Sequence, residues 1–241
     1  MFSSGLPVTM VLELFSSHVR IIKSNYYNDE NVIANLFYHK TTHKRQQQME
    51  QIYIEEKTFE EQNFLENPLR KGEYELCRFI NCDFSNVDLS HCKFTDCEFL
   101  VCNLSMAKIT ETAFRDIKFH DCKMLGLYFD SCNEFGLSFS FENCILNNST
   151  FYKTKIKKTT FQNTQLKEVD FTECDLTSAL FDNCDLTGAT FDNTVLERAD
   201  FRTSHNYSIA PETNRIKKAK FSIEGISGLL DKYDIEIDHT K

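Results

Sequence analysis

The chain has no tryptophan, and only seven glycines and three prolines among its 241 residues. So little glycine leaves scant material for a lidded pocket, and phosphate-binding glycine loops, nucleophile elbows and His-Glu zinc motifs are all missing. No apolar run approaches the ~20 residues that a membrane-spanning helix needs. A catalytic role, a bound cofactor and a membrane span therefore have nothing in the sequence to rest on. His39 and His43 have helix-face metal spacing but no third ligand nearby. No metal site is predicted there.

What is abundant is regular. All ten cysteines fall on one position of a five-residue repeat, as in Cys82-Asp-Phe-Ser-Asn, Val87-Asp-Leu-Ser-His, Cys92-Lys-Phe-Thr-Asp and Cys97-Glu-Phe-Leu-Val. The third slot, here called the centre, is large and apolar. One frame of centres runs from Phe79 through Phe84, Phe99 and Phe119 to Phe129. A second runs from Phe141 through Phe161, Phe171, Phe181, Leu186 and Phe191 to Phe201. Phe59, Phe64, Leu69 and Tyr74 form a looser lead-in. Two residues before each centre is a small slot holding Cys, Ala, Thr or Val. A period of five fits neither a helix nor a flat strand. It suits a solenoid in which stacked neighbours bury one another's apolar side chains. Spacings of fifteen and of twenty both superimpose Phe on Phe.

The frames differ by two residues, because Cys132 and Cys144 are twelve apart rather than ten. Continuing the first frame would bury Glu134, which an apolar interior does not tolerate. Residues 133–138 are therefore predicted to bulge as a short loop carrying Glu134 and Phe135.

Runs such as Cys174-Asp-Leu-Thr-Ser, Ala179-Leu-Phe-Asp-Asn, Cys184-Asp-Leu-Thr-Gly and Ala199-Asp-Phe-Arg-Thr resemble the consensus of the pentapeptide-repeat proteins over about residues 55–203. The resemblance implies an all-β fold, a right-handed quadrilateral β-helix with four repeats per coil. Its interior would be filled by side chains. Compared with the bacterial quinolone-resistance (Qnr-type) members, the chain shares the repeat, an acidic rod, a repeat-breaking loop and a C-terminal helix–strand. It departs in its shorter loop, a lysine cluster (Lys153, Lys155, Lys157, Lys158) and an unfamiliar N-terminal stretch.

Three segments follow. Residues 1–50 form an N-terminal extension that need not be native: Met49 directly precedes the lead-in and could be the start codon. Residues 51–203 form the repeat solenoid. Residues 204–241 form a turn and a short C-terminal α-helical cap, Ser222–Tyr233, followed by a strand with Ile235 and Ile237. Qnr-type members use such an end to join two monomers, so the resemblance implies a homodimer through Leu229, Leu230, Tyr233, Ile235 and Ile237. A monomeric cap is the alternative.

The cysteines lack the close pairs of zinc sites and share their slot with Ala, Thr and Val. They read as small buried hydrophobes in a reducing, cytoplasmic setting. Residues 51–201 hold 26 acidic against 15 basic side chains, a net of −11. Such a rod repels nucleic acid and favours a protein partner. Two readings result: a non-catalytic interaction solenoid, or a DNA mimic that binds DNA gyrase or topoisomerase IV. Asp182, Asp192, Glu134 and Phe135 are the candidate partner contacts.

Overall fold

The computed structural model describes residues 52–237. The readings made for residues 1–49, including the start at Met49 and the His39–His43 pair, lie outside the described residues. Eleven short strands are present: β1 (Ile52–Glu55), β2 (Thr58–Glu60), β3 (Gly72–Glu75), β4 (Arg78–Ile80), β5 (Lys93–Thr95), β6 (Glu98–Leu100), β7 (Ala113–Arg115), β8 (Ile117–His120), β9 (Phe139–Glu142), β10 (Thr160–Gln162) and β11 (Leu180–Asp182). They form two all-parallel sheets, ordered β1-β3-β5-β7 and β11-β10-β9-β8-β6-β4-β2. Phe79 pairs with Phe99 and Tyr74 with Phe94, so one coil is twenty residues, or four pentapeptides. Isolated parallel bridges such as Asn63 to Asp83 and Asp170 to Thr190 carry the same stacking along the other two sides.

The centres fill the interior. Phe79, Phe84, Phe99, Phe119, Phe161, Phe171, Phe181, Leu186 and Phe201 have no measurable exposure, and Phe191 has 6%. On the side of β2, a column of rings runs from Phe59 through Phe79, Phe99, Phe119, Phe141, Phe161, Phe181 and Phe201 to Phe221. Neighbouring ring centroids are 4.5–5.5 Å apart. Rings on opposite sides meet edge to face across the axis, as Phe161 and Phe171 do at 6.0 Å. Both are favoured aromatic geometries, each worth about 0.5–1.5 kcal/mol beyond area burial.

The small slot does more than stay small. Its side chain donates to the carbonyl of the centre one coil earlier: Cys97 Sγ to Tyr74, Cys102 to Phe79 and Cys184 to Phe161, at 3.3–3.4 Å. Thr194 and Ser204 do the same at 2.8 Å, toward Phe171 and Phe181. Cys, Ser and Thr thus satisfy a carbonyl that an alanine leaves to the backbone alone. The corner is built two residues after the centre, where the backbone is left-handed: Asn81 at φ 50°, Val101 at 55°, Lys158 at 61°. In many repeats the amide three residues past the centre closes a turn onto the centre's carbonyl, as Cys174 does to Phe171 at 3.0 Å. A positive φ at the third turn residue is the type II pattern.

At the break the register lengthens from twenty to twenty-two, with Phe119 opposite Phe141. Glu134 and Phe135 are exposed, and Gly136 turns the chain at φ 71°. The excursion returns two apolar side chains that the five-residue pattern did not reveal. Leu137 and Phe139 are 8% and 6% exposed. Phe139 occupies a small slot opposite Ile117, its ring 5.0 Å from Phe141 and 5.3 Å from Phe129. Around the break that slot is no longer small.

Stacking continues past Phe201. Val195 bridges to Arg215 and Asp200 to Lys220, and Phe221 stacks on Phe201 at 5.5 Å. Asn214 takes the small slot, donating to the Phe191 carbonyl at 3.0 Å. The stretch around Pro211 replaces one side of a coil and buries Tyr207 and Ile209.

The expected C-terminal α-helix is not formed. Ile226–Leu229 and Asp231–Tyr233 are single 3₁₀ turns, and Ile235 and Ile237 lie in no strand. Ser222 does accept the Gly225 amide at 3.1 Å, as a helix start would. Two glycines then weaken any helix. Gly228 also lies against the Tyr207 backbone, where its carbonyl accepts the Ile209 amide at 2.8 Å. That contact holds the segment to the last coil and leaves no length for a regular helix.

Candidate interaction surface

With the interior filled, the outward slots are what remain to act. The carboxylates one residue before the centre have a local task. Asp83, Asp170 and Asp175 each accept the amide two residues on, at 2.8–3.1 Å. This Asx turn sets the corner. Part of the negative charge is therefore a requirement of the fold. Hydrogen bonds from Arg202, opposed by partial burial, hold the Asp200 carboxyl at about 2. Partial burial works against ionisation of Asp185 and Asp175, yet hydrogen bonds led by Thr187 and Thr177 push both below the usual carboxylate range.

Ion-pair ladders run from coil to coil. Glu98 accepts from Arg78 at 3.2 Å and Lys118 at 3.1 Å, and Lys167 meets Asp185 at 3.0 Å. Lys153 and Lys157 of the lysine cluster pair with Glu173 and Asp175. Cations therefore interrupt the acidic surface repeatedly.

The four predicted partner contacts are not brought together. Asp182 is half-buried at the end of β11 and accepts the Thr203 hydroxyl at 2.9 Å. Asp192 is exposed on another side, next to Asn193. Glu134 and Phe135 project from the break on the side of β1, β3, β5 and β7. Phe135 is 77% exposed, with the Arg115 guanidinium 5.5 Å from its ring centroid. Beside this loop lies an open groove of about 600 Å³ whose walls include Phe129, Leu137, Tyr152 and Lys153.

Of the C-terminal residues, Leu229 packs on the rod's own core and Leu230 is half-buried, while Tyr233, Ile235 and Ile237 are exposed. Lys232 and Tyr233 both contact Glu212, tying this end down. His91 is exposed at a corner. All ten cysteines are unpaired and buried. Burial pushes the thiols of Cys97 and Cys174 up to about 12 and that of Cys184 to about 11, keeping them protonated and unreactive. Among the described residues, no three His, Cys, Asp or Glu side chains are grouped to hold a metal, and no helix is long and apolar enough to cross a membrane.

One side is polarised along the rod. This flank comprises β1, β3, β5 and β7 and their following corners, then the break, then the coils through Lys155, Asp175, Val195 and Arg215. Before the break it carries Glu55, Glu56, Glu73, Glu75, Asp96 and Asp116 against Lys93 and Arg115, a net of −4. After it come Lys155, Lys157, Lys158, Arg198, Arg215, Lys217 and Lys218 against Asp175 and Glu197, a net of +5. The sequence held this pattern, but only the twenty-residue register assigns these residues to one side.

A profile described as a pentapeptide repeat region matches residues 73–139 and 137–206. No curated protein is a significant match to the chain. Among solved structures, a trypsin-treated form of QnrB1, described as a plasmid-mediated fluoroquinolone resistance protein, is similar at 18% identity. It has a TM-score of 0.54, with 78% of this chain and 92% of that one covered. HetL, described as a pentapeptide-repeat protein involved in heterocyst differentiation regulation, from the cyanobacterium Nostoc sp. strain PCC 7120, is similar at 13% identity. Its TM-score is 0.49, with 80% of this chain and 94% of that one covered.

Proposed function

Since the chain belongs to the pentapeptide-repeat family, we propose that it is a non-catalytic interaction solenoid whose outer flanks dock a protein partner. One observation carries this reading: rings and aliphatic side chains occupy the whole axis of the coil. Recognition is left to the exterior. The coil takes the right-handed sense usual for parallel β crossovers. Ten unpaired thiols fit a reducing, cytoplasmic compartment.

A second reading is favoured by the fold likeness to QnrB1. In it, the rod binds DNA gyrase or topoisomerase IV as a DNA mimic, with Asp182, Asp192, Glu134 and Phe135 as contacts. Those residues lie on three sides, and cations break up the acidic surface. The general interaction role is therefore the better supported. A supercoiling assay with gyrase, with and without a fluoroquinolone, decides between them. Inhibition or drug protection at micromolar protein, lost in Phe135→Ala, supports the mimic. No effect of either kind removes it, and capture of partners from the source cell then tests the interaction role.

End-to-end association through Tyr233, Ile235 and Ile237 is a separate proposal. It is supported by the exposure of these side chains and would be abolished by Ile235→Asp.

A further inference from the structure

We propose that the polarised flank is a self-complementary interface that pairs two copies of this chain side by side and antiparallel. The two-fold axis would pass through the loop at Phe135. A closed two-fold interface requires a patch complementary to itself after rotation. This flank meets that requirement. The loop stands at its midpoint, with four coils before it (Ile54, Tyr74, Phe94, Phe114) and four after it (Ile156, Leu176, Leu196, Ile216).

Rotation about that midpoint exchanges the first coil with the last, and so on inward. Glu55 and Glu56 then face Lys217 and Lys218, Lys93 faces Asp175 and Asp116 faces Lys158. Glu75 lies opposite Glu197 with Arg198 one residue on, and Arg115 lies opposite Lys157, so the match is one of net charge between the two halves rather than of every pair. Lys93 and Asp175 already pair with Glu73 and Lys157 within the chain, whereas most of the other charges concerned have no ionic partner. Among the described residues, Glu55, Glu56, Glu75, Asp96 and Asp116 form no ion pair, and neither do Lys155, Lys158, Arg198, Lys217 and Lys218. In-register parallel packing would set acid on acid, so the pattern also selects the direction of pairing.

The loop fits the same arrangement. Sheets pack face to face about 10 Å apart, which accommodates a projecting phenyl ring from each copy at the axis. The groove beside the loop has room for the ring that the other copy brings. The flank is roughly 40 Å long, from coils about 4.8 Å apart, and about 12 Å wide. Roughly 1,000 Å² would be buried in total, the lower limit for a specific interface. The dimer is therefore expected to be weak and sensitive to salt.

Sedimentation velocity of the full chain tests this. The wild type should dimerise at about 0.05 M salt and dissociate at about 0.5 M, where screening shortens the range of charge interaction. Glu55→Lys, Glu75→Lys and Asp96→Lys together should weaken the dimer about tenfold or more, and so should Lys155→Glu, Arg198→Glu and Lys217→Glu together, at ~1.4 kcal/mol per tenfold. Combining all six reversals should restore it. Every altered residue is exposed or half-buried, and circular dichroism melts matching wild type would show the fold intact. A wild type that stays monomeric at low salt would overturn the proposal. So would a dimer indifferent to either triple reversal, a folded six-fold variant that fails to recover, or a dimer that Ile235→Asp dissolves.

Discussion

At the residue scale the fold depends on a backbone conformation that many of its corner side chains disfavour. Every coil turns on left-handed residues, yet only Gly126 and Gly188 among the regular corners are glycines. Asn and Asp adopt this region readily, because their short polar side chains bond locally. A β-branched residue there is an outlier. Val101 is the clearest case, at φ 55° and 57% exposed, so nothing it buries offsets the strain. Val101→Asn should stabilise the protein by about 0.5–1 kcal/mol, a gain without added contacts. A rise of a few degrees in the midpoint of a thermal melt is the expected reading, and a fall would show that Val101 packs usefully. The small slot teaches a related lesson. Its tolerance for Cys, Ser, Thr and Asn follows from the carbonyl one coil below, which those side chains can reach.

At the scale of the single coil, periodicity made the inward residues legible. A buried slot recurring every fifth residue must be apolar, and departures from it are visible without coordinates. Glu134 marked the break because a carboxylate could not be buried, and the structure turns it outward. Leu137 and Phe139 were not legible, since an insertion obeys no period and either could have faced water. The end of the repeat was hidden for a similar reason. Tyr207, Ile209 and Asn214 fill interior positions with side chains outside the consensus. The C-terminal helix failed as an expectation because amphipathic spacing took no account of the Tyr207 backbone against Gly228. The candidate partner contacts are not gathered on one side, as Asp182 and Asp192 differ by two repeats. Inside a coil, the cost of losing a ring is predictable. Phe171 stacks between Phe151 at 5.2 Å and Phe191 at 5.1 Å and meets Phe161 and Phe181 edge-on. Phe171→Ala should destabilise by about 3–5 kcal/mol, whereas Asp182→Lys should change stability by less than about 1 kcal/mol. Urea denaturation of both variants checks the contrast, and equal effects would contradict the inward–outward assignment.

At the scale of the whole molecule, the turn carboxylates link the rod's stability to pH. Asp175, Asp185 and Asp200 lie on three different sides of the coil, so no single corner carries the effect. Each is a stronger acid in the folded rod than in the unfolded chain, where an aspartate titrates near 3.9. Asp200 is held at about 2 by Arg202 above all. Asp185 and Asp175 are lowered by their threonine and lysine partners despite partial burial. When the folded value is the lower one, the unfolded state takes up protons first as acid is added. Stability is then fully present above about pH 4 and is lost as pH falls toward the folded values. Melting temperature should accordingly hold between pH 7 and about 5 and decline steeply from about 4 to 2. Replacing Thr177 and Thr187 by valine removes hydroxyls that bond Asp175 and Asp185 at 2.6 Å. This change should lower the plateau and shrink the acid-dependent part of the decline. Calorimetric melts across this range test both statements. A rod that melts at the same temperature at pH 2 as at pH 7 would show that these carboxylates do not stabilise the folded state.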